Sequence, residues 1–218
     1  MDFDLSVYLV TDAALCGEVG VEHTVEEAVA GGVTVVQLRD KHAADEVMIE
    51  QARRLKEALD DYAELHGRRV PLIINDRLNV ALESGADGLH VGQSDTAARD
   101  ARRAMGEEAI IGLSLNSAEQ LARAPLEVLD YVGLGPVFAT QSKKDHAAPL
   151  GFDGLMALAT ACPLPGVAIG GIKPVHIQTV KKSGAQGVAV VSAICGQPSP
   201  RQAAAELADT WLQTPAWG

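Results

Sequence analysis

Eight short runs of β-branched and aliphatic residues recur along the chain, each followed by a stretch with helical periodicity. This alternation constrains the fold more than any other feature. The runs read as strands are Leu5–Thr11, Val33–Leu38, Pro71–Asn75, Gly88–Val91, Ala109–Leu113, Leu129–Gly133, Gly166–Ile169 and Gly187–Val191. Between the second and third, Met48, Ala52, Leu55, Leu59 and Tyr62 make one apolar stripe, which predicts a helix from Asp45 to His66. Ser117 with Gln120 and Ser199 with Gln202 have capping-box spacing, and Pro200 falls at a first helical position. Gly67, Gly85 and Gly184 stand where helices should stop. Eight βα units in a chain of 218 residues predict a closed (β/α)8 TIM barrel, an α/β fold forming a single domain over residues 1–218. The alternative is an open doubly wound sheet. It would need a glycine-rich phosphate fingerprint after the first strand, where the chain has Thr11-Asp-Ala-Ala-Leu-Cys-Gly17.

One junction is used twice: Ser84-Gly-Ala-Asp-Gly-Leu-His-Val91 and Ser183-Gly-Ala-Gln-Gly-Val-Ala-Val190 share the pattern S-G-A-x-G-[LV]-x-V. It reads as helix stop, tight turn and buried parallel strand, without implying a gene duplication. The hydrophobic content of 47% with only 4% aromatics suits parallel strands covered by helices on both sides. A net charge of −11 argues against general binding to nucleic acid or an anionic membrane, so a phosphate ligand needs locally gathered cations or a metal ion. Cys16, Cys162 and Cys195 are unclustered and suggest neither a disulfide framework nor a zinc site. The N-terminus has no signal-peptide pattern and no apolar run has transmembrane length, so a reduced, cytoplasmic protein is expected.

In such a barrel the active site lies at the C-terminal ends of the strands. Unusual polar residues collect there. After the second strand, Val35, Gln37, Arg39 and Lys41 share one face by period-two alternation, while Val36 and Leu38 point the other way. An amide, a guanidinium and an ammonium group on one face form an anion clamp. Asn75 and Asp76 follow the third strand and Asp95 follows the fourth. Two carboxylates at adjacent strand ends suit Mg²⁺, which takes one or two protein carboxylates and completes its shell with phosphate oxygens and water. Each aspartate is also placed to act as a helix N-cap. Ser114 and Asn116 follow the fifth strand. The loops after strands seven and eight, Gly170-Gly171 and Val191-Ser192, offer close backbone approach and N–H groups to a phosphate. The stretch from Gly133 to Gly151 abandons periodicity and carries Thr140, Ser142, Lys143 and Lys144, chemistry suited to closing over an oxyanion. The histidines show no acid–base partner in the sequence and receive no role.

Taken together, Q-L-R-D-K at 37–41, I-N-D at 74–76, G-L-H-V-G-Q-S-D at 88–95, G-P-V-F-A-T-Q-S-K-K-D at 135–145, A-I-G-G-I at 168–172 and V-V-S-A-I at 190–194 closely resemble the thiamine phosphate synthase family. The resemblance covers nearly the whole chain. It implies a transferase of thiamine biosynthesis that joins the diphosphate ester of hydroxymethylpyrimidine to the thiazole phosphate. The resemblance also implies that diphosphate is lost dissociatively, with Mg²⁺ as the cofactor. It further implies that Gln37, Leu38, Arg39, Asp40, Lys41, Asn75, Ser114 and Lys143 bind the pyrimidine diphosphate, with Arg39, Lys41, Ser114 and Lys143 as the catalytic set. Thr140, Gln141, Ser142, Gly171, Val191 and Ser192 would bind the thiazole phosphate, and Asp76 and Asp95 the metal. The family usually has a second threonine where this chain has Ser142, which keeps the hydroxyl. Two small phosphorylated substrates are the implied partners of a monomer or homo-oligomer. The alternatives are a thiazole tautomerase on the same barrel, which would not need the complete diphosphate clamp, and a non-catalytic phosphate-binding barrel.

Overall fold

The structure, a computed structural model, describes residues 3–93, 95–139 and 148–215; the side chains of Asp95 and Thr96 are not among those described. The order is β1 (Val7–Val10), α1 (Ala13–Cys16), α2 (Val21–Ala30), β2 (Val35–Leu38), α3 (Asp45–His66), β3 (Leu72–Asn75), α4 (Leu78–Ser84), β4 (Gly88–Val91) and α5 (Asp95–Met105). It continues through β5 (Ile110–Leu115), α6 (Ala118–Arg123), β6 (Tyr131–Leu134), α7 (Gly151–Ala161), β7 (Gly166–Ile169), α8 (Ile177–Lys182), β8 (Gly187–Val190) and α9 (Pro200–Gln213). All eight strands are parallel to their neighbours and β8 pairs with β1, so the barrel closes. The expected (β/α)8 barrel is the fold.

Alternation along each strand divides the core into two layers. Tyr8, Val10, Val35, Ile73, Ile110, Tyr131, Val167 and Ala189 fill the barrel interior. Val7, Leu9, Val36, Leu38, Leu72, Ile74, Ile111, Leu113, Val132, Leu134 and Val188 face the helices. Helix α3 has the predicted bounds, and it buries Met48, Ala52, Leu55 and Leu59 together with Ile49. Gly67 ends it in the left-handed conformation at φ 66°. The Ser117 and Ser199 hydroxyls accept the N–H groups of Gln120 and Gln202 as N-caps. At the first of these the box is shifted by one residue: Gln120 Oε1 accepts from Asn116 N rather than from the cap itself.

The entrances of the odd strands share one device. Thr34, Asp87, Asp130 and Gln186 each stand immediately before an even strand. The backbone N–H of each donates to the carbonyl of Val7, Leu72, Ile111 or Gly166, at 2.8–2.9 Å. The side chain then accepts the N–H of that same partner, at 3.1, 2.8, 2.7 and 2.7 Å. In a parallel ladder that N–H would seek a carbonyl two residues further back, where the neighbouring chain is still leaving its helix. The side chain supplies the missing acceptor. This accounts for the repeated junction. In S-G-A-x-G the serine hydroxyl donates to the helix carbonyl three residues earlier, Ala81 or Val180. Gly85 and Gly184 have φ of 70° and 88°. The variable residue is the clasp. A Cβ at Gly88 or Gly187 would strike the carbonyl of Ile110 or Leu5. Several predicted strand starts fall one or two residues early, because residues such as Thr34 and Asp130 belong to these clasps.

Among the described residues no helix is long and apolar enough to cross a membrane. All three cysteines are free and buried.

Candidate active site

The C-terminal ends of the strands open into a cavity of about 450 Å³, ample for small phosphorylated molecules. Its described lining includes three cations, Arg39, Lys41 and Lys173, against two carboxylates, Asp76 and Glu206. In a chain of net charge −11 this is a locally basic patch.

On the β2 side, alternation works as expected. Gln37 points into the barrel and is buried, and Arg39 and Lys41 line the mouth above it. Thr11 extends the β1–β2 pairing past the strand end: its N–H donates to the Gln37 carbonyl, and its hydroxyl accepts from Arg39 N at 3.0 Å. Asp12 Oδ2 lies 3.8 Å from the Arg39 guanidinium. The structure brings neither Leu38 nor Asp40 to the cavity. Leu38 packs against the helices. Asp40 turns its carboxylate back onto the N–H groups of His42 and Ala43, at 2.8 and 3.1 Å, chiefly the first of which holds its pKa below the usual carboxylate range. Arg77 locks this turn, donating to Ala43 O at 2.7 Å, Asp45 Oδ1 at 2.8 Å and Asp40 O at 3.0 Å. The Asn79 amide first, then Arg77, lowers the pKa of Asp45.

Asn75 and Asp76 line the adjacent wall. Asp76 has φ of 62°, the one positive φ of a non-glycine residue among those described. Its N–H donates to His90 O at 2.9 Å and its Oδ2 accepts from Asn75 Nδ2 at 2.7 Å. A non-glycine residue in this conformation costs on the order of 1–2 kcal/mol and recurs at functional positions. Asp95 opens α5 from the neighbouring strand end, and its side chain lies outside the described residues. An exposed carboxylate beside an amide oxygen, facing a basic anion-sized cavity, is donor chemistry that fits Mg²⁺. Among the described residues no group of three or more His, Cys, Asp or Glu could hold a metal by itself.

Ser114 lines the cavity from β5 and is 2.9 Å from His90 Nε2. On the opposite side Gly171, Val191 and Ser192 line the β7 and β8 exits. Gly170 and Gly171 have φ of 101° and 67°. Among the described residues, the N–H groups of Gly171, Ser192 and Ala193 donate to no backbone acceptor. The base of the Gly133–Gly151 stretch is anchored here: Val137 N donates to Ile169 O at 2.8 Å and Phe138 N to Gly170 O at 3.0 Å. Its far end returns to the same place, with Leu150 N on Pro136 O and Gly151 N on Val137 O. Thr140, Gln141, Ser142 and Lys143 lie outside the described residues.

Sequence reasoning missed four contributors. Arg77 follows Asp76 in the chain and carries no motif that assigns it a role, although it locks the turn beside the clamp. Tyr8 and Tyr131 read as core residues and His90 as a histidine without a partner. All three lie inside the barrel, with Tyr131 in contact with both Tyr8 and His90. Burial raises the pKa of both tyrosines well above the ordinary value. Three strands far apart in the chain contribute these residues, so no local spacing could have signalled them.

Comparison with known proteins follows the same line. The chain matches the family model described as thiamine monophosphate synthase over residues 7–194. It is 50% identical over 203 residues to the thiamine-phosphate synthase of Psychrobacter sp. (strain PRwf-1), with 92% of each chain covered. With that of Azorhizobium caulinodans it shares 47% identity over 205 residues, 94% of each chain. Among solved structures, a thiamine phosphate pyrophosphorylase from Pyrococcus furiosus superposes with a TM-score of 0.83 at 32% identity, covering 96% of each chain. A 3-hexulose-6-phosphate synthase, at 18% identity, 94% and 99% coverage and a TM-score of 0.62, shares the fold alone.

Proposed function

The chain belongs to the thiamine monophosphate synthase family, and on that premise we propose how its mouth performs the condensation of pyrimidine diphosphate with thiazole phosphate. One observation carries the reading. A single cavity has the amide, guanidinium, ammonium and carboxylate of Gln37, Arg39, Lys41 and Asp76 on one side, and the backbone donors at Gly171 and Ser192 on the other. Two anionic substrates with different phosphates fit two such walls.

Gln37, Asn75 and Ser114 hold the pyrimidine, and Arg39 and Lys41 hold its diphosphate together with Lys143. Leu38 and Asp40 serve this clamp by setting the alternation and the turn that present its cations. Gly171, Val191 and Ser192 receive the thiazole phosphate, with Thr140, Gln141 and Ser142 closing from the loop whose base is pinned beside them. Asp76, with Asp95, would hold Mg²⁺, whose charge when bound helps neutralise the leaving diphosphate. The carbon–oxygen bond to diphosphate breaks first, and both electrons leave with diphosphate. The thiazole nitrogen then donates its lone pair to the pyrimidine-stabilised cation. No proton is abstracted, so the work of the side chains is alignment and charge neutralisation. The lining matches that demand, being rich in donors and cations.

The relatives carry the synthase name, and neither a thiazole tautomerase nor a non-catalytic barrel is supported by them. Incubating the purified protein with both substrates, with and without Mg²⁺, tests the reading: thiamine phosphate and diphosphate should appear in equal amounts and depend on the metal. Diphosphate release without thiamine phosphate, or metal-independent turnover, would count against it.

A further inference from the structure

Five side chains inside the barrel form one hydrogen-bonded file. Gln37 Nε2 donates to the Tyr8 hydroxyl at 2.8 Å, and the Tyr8 and Tyr131 hydroxyls are 2.7 Å apart. The Tyr131 hydroxyl is 2.9 Å from His90 Nδ1, and His90 Nε2 is 2.9 Å from Ser114 Oγ. Gln37, Tyr8, Tyr131 and His90 are buried and Ser114 is half-buried; Tyr131 is enclosed, Tyr8 and His90 reach the cavity floor, and the two ends of the file, Gln37 on β2 and Ser114 on β5, stand in the cavity wall. The fold leaves room for the file. A Cβ at Gly112 would strike the Tyr131 ring and His90 Nδ1, and one at Gly133 would lie 3.2 Å from His90 Cε1.

A hydroxyl has one hydrogen, and a neutral imidazole has one N–H. Burial keeps both tyrosines protonated. With the Gln37 amide donating to Tyr8, the Tyr8 hydrogen goes to Tyr131 and the Tyr131 hydrogen to His90 Nδ1. The imidazole then carries its hydrogen on Nε2 and donates to Ser114. The Ser114 hydrogen is left to point into the cavity. Turning the Gln37 amide over reverses every hydrogen, and Ser114 would then donate inward and show the cavity only a lone pair.

We propose that Tyr8, Tyr131 and His90 are positioning residues that couple the orientation of the Gln37 amide to the direction of the Ser114 hydroxyl, so that the two recognise a ligand as one unit. In the observed sense Gln37 turns its carbonyl oxygen toward the cavity as an acceptor and Ser114 offers a donor. That pair suits a ring with an exocyclic amine beside an unprotonated ring nitrogen, and it disfavours the oxo analogue, whose donor and acceptor are exchanged. This specificity rests on the placement of the pyrimidine proposed above; the relay does not.

Nuclear magnetic resonance of ¹⁵N-histidine-labelled protein, without substrates, tests the relay. His90 is assigned by its absence from the spectrum of His90→Gln. Wild type should show a neutral His90 with its hydrogen on Nε2. In Gln37→Glu the carboxylate only accepts, so Tyr8 must donate to it and the hydrogen should move to Nδ1, two tyrosines away. Adding Tyr8→Phe, which keeps the ring and removes the link, should abolish that switch. An unchanged tautomer in folded Gln37→Glu, the same switch in the double variant, or a doubly protonated ring in wild type would each overturn the proposal. Should Gln37→Glu not fold, the wild-type spectrum still decides, because a hydrogen on Nδ1 contradicts the relay as found. In kinetics, Tyr8→Phe should raise KM for the aminopyrimidine diphosphate about tenfold, the loss of about 1.4 kcal/mol expected of a net hydrogen bond, and leave KM for the thiazole phosphate unchanged. Equal rises in both would mark a merely structural role. Absent synthase activity would sink the functional reading and leave the tautomer result standing.

Discussion

Replacing Asp87 separates the value of one strand-entrance clasp from that of the ion pair attached to it. Asp87 Oδ2 accepts the N–H of Leu72, which is fully buried, while Oδ1 accepts from Arg69 Nη2 at 2.5 Å. The Arg69 side chain is 60% exposed and the Lys56 ammonium stands at the 4.0 Å limit of pairing with the same oxygen, so together these pairings contribute about 0–1 kcal/mol. Truncation to alanine leaves the Leu72 N–H without an acceptor and out of reach of water, which costs about 1–3 kcal/mol. Asp87→Ala should therefore lose about 2–3 kcal/mol of unfolding free energy, and Asp87→Asn, which keeps an amide oxygen for Leu72, at most about 1 kcal/mol. For a chain of this size the alanine variant should melt roughly 4–10 °C lower. Urea denaturation of the two variants and wild type supplies the comparison. Gln186→Ala is the uncharged counterpart, orphaning the buried Gly166 N–H, and should cost about 1–3 kcal/mol with no ion pair lost. Because the clasps lie at the end of the barrel opposite the cavity, kcat in the cold should hold for all three. The reasoning is refuted if Asp87→Ala and Asp87→Asn agree within about 0.5 kcal/mol, the limit of additivity in such comparisons.

Three further outcomes are expected. Asp76→Asn tolerates the positive φ at least as well as aspartate, so thermal stability should hold or rise slightly while Mg²⁺-dependent activity falls; unchanged metal dependence would remove Asp76 from the proposed metal site. Lys143→Ala should lower kcat about 10- to 100-fold, the effect of a charge-assisted contact of about 1.5–3 kcal/mol, with little change in melting temperature; wild-type turnover would refute its role at the diphosphate. The lowered carboxylate pKa values of Asp40 and Asp45 stabilise the turn between β2 and α3. That contribution is fully present above about pH 4, the unfolded value, and is lost as pH falls through the lower folded values. Hydrogen exchange at His42 and Ala43, corrected for intrinsic rates, should accelerate only in that acidic window, and acceleration on raising the pH would contradict the assignment.

Much of this was legible in the chain. The alternation in Val35-Val36-Gln37-Leu38 separates the side that faces the cavity from the side that faces the helices, and the structure keeps it. The bounds of α3 follow from its stripe and from Gly67. Asp40 was harder to read, because a contiguous run of polar residues does not announce where the strand gives way to a turn that takes the carboxylate for its own N–H groups. The fifth strand runs two residues past its expected end, since Ser114 and Leu115 still pair with Gly133 and Leu134. The Tyr8–Tyr131–His90 file was invisible for a different reason: it is a property of barrel closure, which brings together the inward positions of β1, β4 and β6. A glycine at position 112 makes sense only once the ring beside it is known.

The clasps also carry a consequence for how the molecule divides. Each joins a consecutive pair, β1–β2, β3–β4, β5–β6 or β7–β8, and among the described residues no matching clasp spans β4–β5 or β8–β1. The ring is thus built of four quarter-turn staves rather than eight equal ones. Two fragments parted at Gly106, where a turn at φ of 85° follows α5, would each retain two complete staves. Fragments parted at Gly85 would leave Leu72 on one piece and Asp87 on the other. Reassembly from co-expressed halves should favour the first cut, placing the natural seam of the barrel between its fourth and fifth strands.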